Sequence, residues 1–397
     1  MFFTNPYYCL GEAAFHPITF PPPFFCPPIF LLRYSFFHDW EQTSKINYMS
    51  KDHRRAKPVS STNSPEPRKK LMGKTLLLWG AVTVSGFLLA ALAIIFFDGR
   101  LLASDSQLKN IPFNGARAYG YLKQLCDLGP RCSGSEAMTA QQKFLTEHFE
   151  KLGVKVEFQR FTAPYPLNGP DEQMIGRDVP MANMIVRFNP ENRERIMFCS
   201  HYDTLPFPLR DPTNRRGRFV GANDSGSGVV ILMELGNELA QHPPKVGVDF
   251  VFFDSEEFIF AADGKYFLGS EHFASEYVKH PPAFRYRYAV LLDMVGGTEL
   301  HLPQELNSVT WDDSRPLVNE IWATAARLGV QEFVARPRLD AIRDDHLALH
   351  DVAKIPACDL IDFDYKYWHT QDDTPEHCSA LSLAKVGWVL QEWLRGQ

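Results

Sequence analysis

The chain has 397 residues, 45% of them hydrophobic and 22% charged, a make-up that suits a globular protein and excludes a fibrous or wholly disordered one. Its 47 acidic and 41 basic residues leave a net charge of −6, so no nucleic-acid partner is expected. Seven cysteines (Cys9, Cys26, Cys126, Cys132, Cys199, Cys358 and Cys378) form no CxxC pair and no zinc-finger spacing. Cys126 and Cys132 lie near enough for a bridge, with buried free thiols the expected state.

Residues 1–48 are rich in Phe, Pro and Tyr without helical or strand periodicity, and their prolines break any spanning helix. The chain from Met49 onward reads as a protein without that piece, so translation from Met49 is one expectation. Residues 50–74 are polar and basic (Lys51, Arg54, Arg55, Lys57, Arg68, Lys69, Lys70, Lys74). With the preceding stretch they read as a low-complexity, cytoplasmic segment over 1–74. Residues 75–97 carry no charge, and as a helix they reach across a hydrocarbon core of roughly 30 Å. That is longer than the roughly 7–15 apolar residues of a cleaved leader, so a single transmembrane anchor is expected. Apart from Arg100 its basic flank is N-terminal. This places the N-terminus in the cytoplasm and the remainder in periplasm or lumen. A linker is expected over 98–112 and one folded domain over 113–397.

Within that domain Leu145, Phe149 and Leu152 recur at helical spacing up to Gly153, predicting an amphipathic helix. A strand is expected over Val154–Phe161, and a Pro/Gly-rich loop over 164–182. Asn183–Phe188 and Arg195–Ser200 read as two adjacent strands around the polar turn Asn189–Glu194. Ile196–Cys199, Val246–Phe253, Tyr288–Met294 and Ile355–Ile361 are short apolar runs, as in strands buried on both faces. Val229–Leu239 and Leu381–Leu394 read as helices. The alternation predicts an α/β fold, a single three-layer α/β/α domain with a mainly parallel mixed sheet, preceded by one transmembrane helix.

Polar clusters follow these strands. His201 and Asp203 come after the first run; Asp254, Glu256 and Glu257 after the second; Asp293 ends the third. Asp224 opens a Gly/Ser-rich turn, and Asp344, Asp345, His346, Trp368 and His369 lie downstream. Ligands of open α/β sheets sit beyond the carboxyl ends of the strands, and imidazole with carboxylate favours zinc over magnesium or calcium. An acid ending so apolar a run as Tyr288–Met294 is costly unless paired or metal-bound. The only glycosylation sequon, Asn223-Asp224-Ser225, falls inside this candidate site.

The ordered motifs HYD, GANDSGSG, DSEE, GSEH, LLDMVG, RDDH and WHTQDD resemble the zinc aminopeptidase and glutaminyl-cyclase superfamily over roughly Phe113–Gln397. In its two-zinc aminopeptidases the resemblance implies His201 and Asp293 on one metal, Glu257 and His369 on the other, and Asp224 bridging. Glu256 is then the general base and Asp203 orients His201. LLDMVG, the acidic pair before His346, and Trp368 immediately before His369 resemble the glutaminyl-peptide cyclotransferases more closely. That resemblance implies one zinc on Asp224, Glu257 and His369, proton transfer by Glu256, and support from Asp293 and Asp344. Trp368 would pack on the substrate, the N-terminus of a peptide or protein. A single N-terminal anchor is similar to the membrane-bound members. Two positions depart from the cyclase pattern: no Trp follows the Glu pair, with Ala262 about where it belongs, and Asp359 stands where a His is often found. Both bear on the substrate pocket.

Overall fold

Strands covered on both faces need apolar residues at consecutive positions, because neither side of the pleat meets water. The computed structural model, which describes residues 106–397 apart from Ala262, places the apolar runs in a six-stranded sheet. Its strands are β1 (Val156–Pro164), β2 (Asp178–Phe188), β3 (Glu194–His201), β4 (Gly247–Phe253), β5 (Arg285–Asp293) and, after two short strands that form a separate ladder, β8 (Ala357–Ile361). Those two are β6 (Leu302–Gln304) and β7 (Phe333–Pro337).

The order across the main sheet is β1-β2-β4-β3-β5-β8. β4, β3, β5 and β8 run parallel, while β1 and β2 join antiparallel at the β4 side. The sheet is therefore mixed and mainly parallel, as expected. One expectation is corrected: β2 and β3 follow each other around the turn at 189–194 but do not pair, because β4 lies between them. Arg195 accounts for that turn's tight packing, donating to the carbonyls of Phe188, Asn189 and Asn192 while pairing with the buried Asp249. The expected loop over 164–182 is also shorter, since β1 runs to Pro164 and β2 begins at Asp178.

Successive strand residues divide between two cores, as the period of two requires. Phe198, Phe250, Val290 and Leu292 face one core, closed by the helices Gly115–Asp127, Glu136–Lys151, Gly228–Gln241, Arg315–Leu328 and Ala380–Arg395. Met197, Cys199, Val251, Phe253 and Leu291 face the other, covered by the helix Leu268–Lys279 and the turn around Ala348. Helices thus flank both faces. Ser135 and Ser379 cap two of them by accepting backbone N–H bonds from Met138 and from Leu381 and Ser382.

Before the domain, residues 106–110 are helical and Ile111 packs on the main core. Among the described residues no helix is long and apolar enough to cross a membrane; the anchor expected at 75–97 lies outside them, as do residues 1–74. Cys126 and Cys132 are free thiols, pushed up by burial to about 12 and about 11.

Candidate metal centre

Four neighbouring parallel strands point their carboxyl ends to one side, and the candidate residues collect there. His201 is the last residue of β3 and Asp293 the last of β5. Glu256 and Glu257 follow β4 through Ser255, whose φ is +63°. Met294, just after Asp293, and His369 itself also have positive φ, +49° and +58°. Non-glycine residues held in that region store strain and cluster at functional sites; here they turn the chain so that side chains leave the strand ends toward one cleft.

Asp224 arrives on the loop before the helix Gly228–Gln241. A Cβ at Gly228 would stand 2.4 Å from the Ser200 hydroxyl and 2.5 Å from the Leu292 carbonyl, so glycine alone lets this loop press onto β3 and β5. The loop also explains the sequon: Asn223 is fully buried, its Oδ1 accepting the Gly296 N–H.

Four side chains gather about Asp224. His201 Nε2 lies 3.1 Å from Asp224 Oδ1 and 3.4 Å from Asp293 Oδ1. His369 Nε2 lies 3.4 Å from Asp224 Oδ2 and 3.2 Å from Glu257 Oε2. Glu257 spends its other oxygen on the Leu205 N–H at 2.8 Å. Asp224 Oδ2, Glu257 Oε2 and Asp293 Oδ1 are buried without a hydrogen-bond partner. Ligand atoms about 2.0–2.1 Å from a tetrahedral zinc stand roughly 3.3 Å apart, which is the spacing of these pairs. Orphaned carboxylate oxygens, imidazole nitrogens and this spacing fit zinc.

The electrostatics agree. Burial pushes the Glu257 carboxyl well above its ordinary range, and the Asp224 charge adds to the rise. Burial also raises Glu256 strongly, opposed by His201 and reinforced by Asp344 and Asp345. His201 is driven the opposite way to burial, well upward, by the carboxylates of Asp203, Asp224 and Asp293. His369 is pushed down by burial to about 4, against the pull of Asp224. So much buried acid in one place calls for a cation.

Two residues hold the centre by gripping backbone. Asp203 accepts the N–H groups of Glu256 (3.0 Å) and Glu257 (3.1 Å), while its nearest approach to His201 Nδ1 is 3.6 Å. It positions the Glu pair more directly than the histidine. Asp373 does the same for Asp224, accepting from Asn223 N (2.8 Å) and Asp224 N (3.1 Å), with the Tyr365 hydroxyl donating to it as well. Burial, helped by Asp224, raises Asp373 to about 8. Arg131 also escapes sequence reasoning: buried, it donates to the Val220 and Gly221 carbonyls and so supports the Asp224 loop. Of Asp373 and Arg131, only Asp373 carried a sequence signal, as the end of the WHTQDD motif.

Beside the candidate metal donors opens a cavity of about 370 Å³, lined among others by Glu256, Asp293, Asp344, Tyr266, Phe363 and Trp368. Trp368 packs against Phe363 and His369, both at 4.5 Å between ring centres. Asp344 is buried and pushed well up by burial and then by Asp293. Asp345, raised by burial to about 7, accepts from the Ser270 hydroxyl. Asp359 lies deeper than the cavity wall, 3.7 Å from His346 Nδ1, and His346 Nε2 stands 3.4 Å from Glu305. Ala262 is outside the described residues.

Comparison with known proteins gives this geometry a family. The model of peptidase family M28 matches residues 183–394, more than half of the chain. The chain belongs to peptidase family M28. Glutaminyl cyclase of Fimbriiglobus ruber is 41% identical, superposes with a TM-score of 0.66 and aligns over 72% of this M28 chain and 96% of its own. A zinc-dependent exopeptidase of Parabacteroides distasonis is 30% identical with a TM-score of 0.65, over 72% and 99%. Among curated proteins, glutaminyl-peptide cyclotransferase of Gloydius blomhoffii is 26% identical over 238 residues, 53% of this chain. The M28 chain spans 64% of the length of that relative. Similarity thus runs to glutaminyl cyclases and zinc exopeptidases alike.

Proposed function

We propose that the chain is a zinc-dependent glutaminyl-peptide cyclotransferase, converting the N-terminal glutamine of peptides to pyroglutamate with release of ammonia. The observation that carries this reading is the cavity wall, where Glu256, Asp293 and Asp344 stand together beside the aromatic Trp368. Identity of 41% along nearly the whole of a glutaminyl cyclase supports it. Asp224, Glu257 and His369 would hold one zinc, whose chemistry is to polarise the side-chain amide as a Lewis acid. Glu256 takes a proton from the attacking α-amine and returns it to the departing amide nitrogen. Its raised proton affinity suits both halves of that exchange. Asp344 and Asp293 supply the surrounding acid network, and Trp368 covers the glutamine side chain and excludes water.

A second reading has its own observation. His201 and Asp293 complete a second donor set on the free side of Asp224, which favours a two-zinc aminopeptidase with Glu256 as base toward water. In either case we place the domain outside the cytoplasm behind the uncharged stretch 75–97. The deciding experiment loads the full chain with zinc and offers a peptide with N-terminal glutamine and a leucine anilide. Ammonia loss by mass spectrometry without anilide cleavage upholds the cyclase. Anilide cleavage alone replaces it with the peptidase.

A further inference from the structure

The cavity is bipolar. Its floor carries the carboxylates of Asp224, Glu256, Glu257, Asp293 and Asp344, whereas its mouth carries guanidinium groups. Arg343 lines the cavity with its charge over the Phe267 ring at 5.9 Å. Arg210 does not line the cavity itself but lies over the ring of Trp368, which does, 4.3 Å from its centre, with its backbone N–H bonded to the His369 carbonyl. Both are exposed. Arg338, the third, is already paired with Asp364 at 3.1 Å. Among the described residues Arg210 and Arg343 make no ion pair, although Asp340 also lies on the wall. Each is seated on an aromatic face, which restricts its rotamers while leaving the planar fork free for a carboxylate.

A peptide entering amine first puts its α-amine toward the acidic floor and its next residues toward the wall that carries Arg343, near Trp368 and the Arg210 stacked on it. We propose that Arg210 and Arg343 select substrates that carry a carboxylate one or two residues beyond the reacting N-terminal residue. That carboxylate is supplied either by an acidic side chain or by the free C-terminus of a di- or tripeptide. The inference rests on the reading of the cavity as the site of a peptide N-terminus, and holds for cyclisation and for hydrolysis alike.

The test uses the full, zinc-loaded chain and amidated peptides Gln-Glu-Ala, Gln-Ala-Ala and Gln-Lys-Ala, together with Gln-Ala as free acid and as amide. Ammonia and free amino acid are both followed, so a switch from one product to the other bears on the cyclase reading and not on selectivity. For any peptide that does not turn over, the dissociation constant from calorimetry is compared in place of kcat/KM. The expected result is a preference of about tenfold for Glu over Ala at the second position, equivalent to about 1.4 kcal/mol, with Lys worse than Ala. The preference should shrink as salt is raised from 50 to about 500 mM. Arg343→Gln and Arg210→Gln each reduce the Glu/Ala ratio, and Arg343→Glu brings Lys above Glu. A gain for Gln-Ala free acid without one for Gln-Glu-Ala amide assigns the cations to the C-terminal carboxylate. Equal values across all five peptides, or a ratio that survives both Gln variants, overturn the proposal.

Discussion

Replacing Asp203 by Asn tests how the centre is held. Both carboxylate oxygens accept a backbone N–H, from Glu256 at 3.0 Å and from Glu257 at 3.1 Å, and Asp203 is fully buried. Asn keeps one acceptor and turns an NH2 toward the other amide, so one buried N–H loses its partner. Leaving such a donor unsatisfied costs about 1–3 kcal/mol. In a domain of this size that lowers Tm by about 2–4 °C for each kcal/mol. The loss for activity is greater in proportion, because the two amides aim consecutive carboxylates in different directions, and displacing a reacting group by about 1 Å costs on the order of a hundredfold. Urea denaturation and zinc content of Asp203→Asn, alone and with His201→Ala, provide the assay. If the backbone grip dominates, the cost of Asp203→Asn persists within about 0.5 kcal/mol in the His201→Ala background. A cost that vanishes there, or Asp203→Asn as stable as the parent, refutes the reasoning and returns Asp203 to the role of orienting His201.

The remaining expectations concern the Glu pair and one buried anion away from it. Glu256→Gln retains zinc but lowers kcat by about 10²–10⁴-fold; metal analysis beside steady-state kinetics checks it, and near-normal turnover rejects Glu256 as the proton carrier. Glu257→Ala loses zinc and, with it, the rise in Tm that zinc addition gives the parent; an unchanged zinc stoichiometry would exclude it as a ligand. Glu305 accepts the N–H groups of Asn307, Ser308 and Ile342 and faces His346 at 3.4 Å. Burial alone would raise it, but His346 and the amides of Ile342 and Ser308 bring it down to about 2. A depressed carboxylate stabilises the fold above its unfolded value and loses that contribution as pH falls through the folded one. Stability therefore drops by about 3 kcal/mol between about pH 4.5 and 2 from this group. Glu305→Gln flattens that part of the denaturation profile, and an unaltered acid limb would show that Glu305 carries no such linkage.

Much of this protein is legible in its residues read singly. Largely apolar runs at 196–199, 246–253, 288–294 and 355–361, three of them holding a single aspartate, announce strands buried on both faces, and each became a strand of the sheet. Polar residues placed just after such runs lie at strand ends, so the position of His201, Glu256, Glu257 and Asp293 at the carboxyl ends of strands followed from local pattern. What tertiary structure alone decided is which strands are neighbours and which atoms face each other. Periodicity says nothing about partners, so the insertion of β4 between β2 and β3 was not readable. Nor were the grips of Asp203 and Asp373 on backbone amides, because backbone N–H groups are identical at every position until folding leaves some without a partner. The same holds for Arg210 and Arg343, which are ordinary surface charges in sequence and come to the ring of Trp368 and to the cavity wall only through contacts between distant segments.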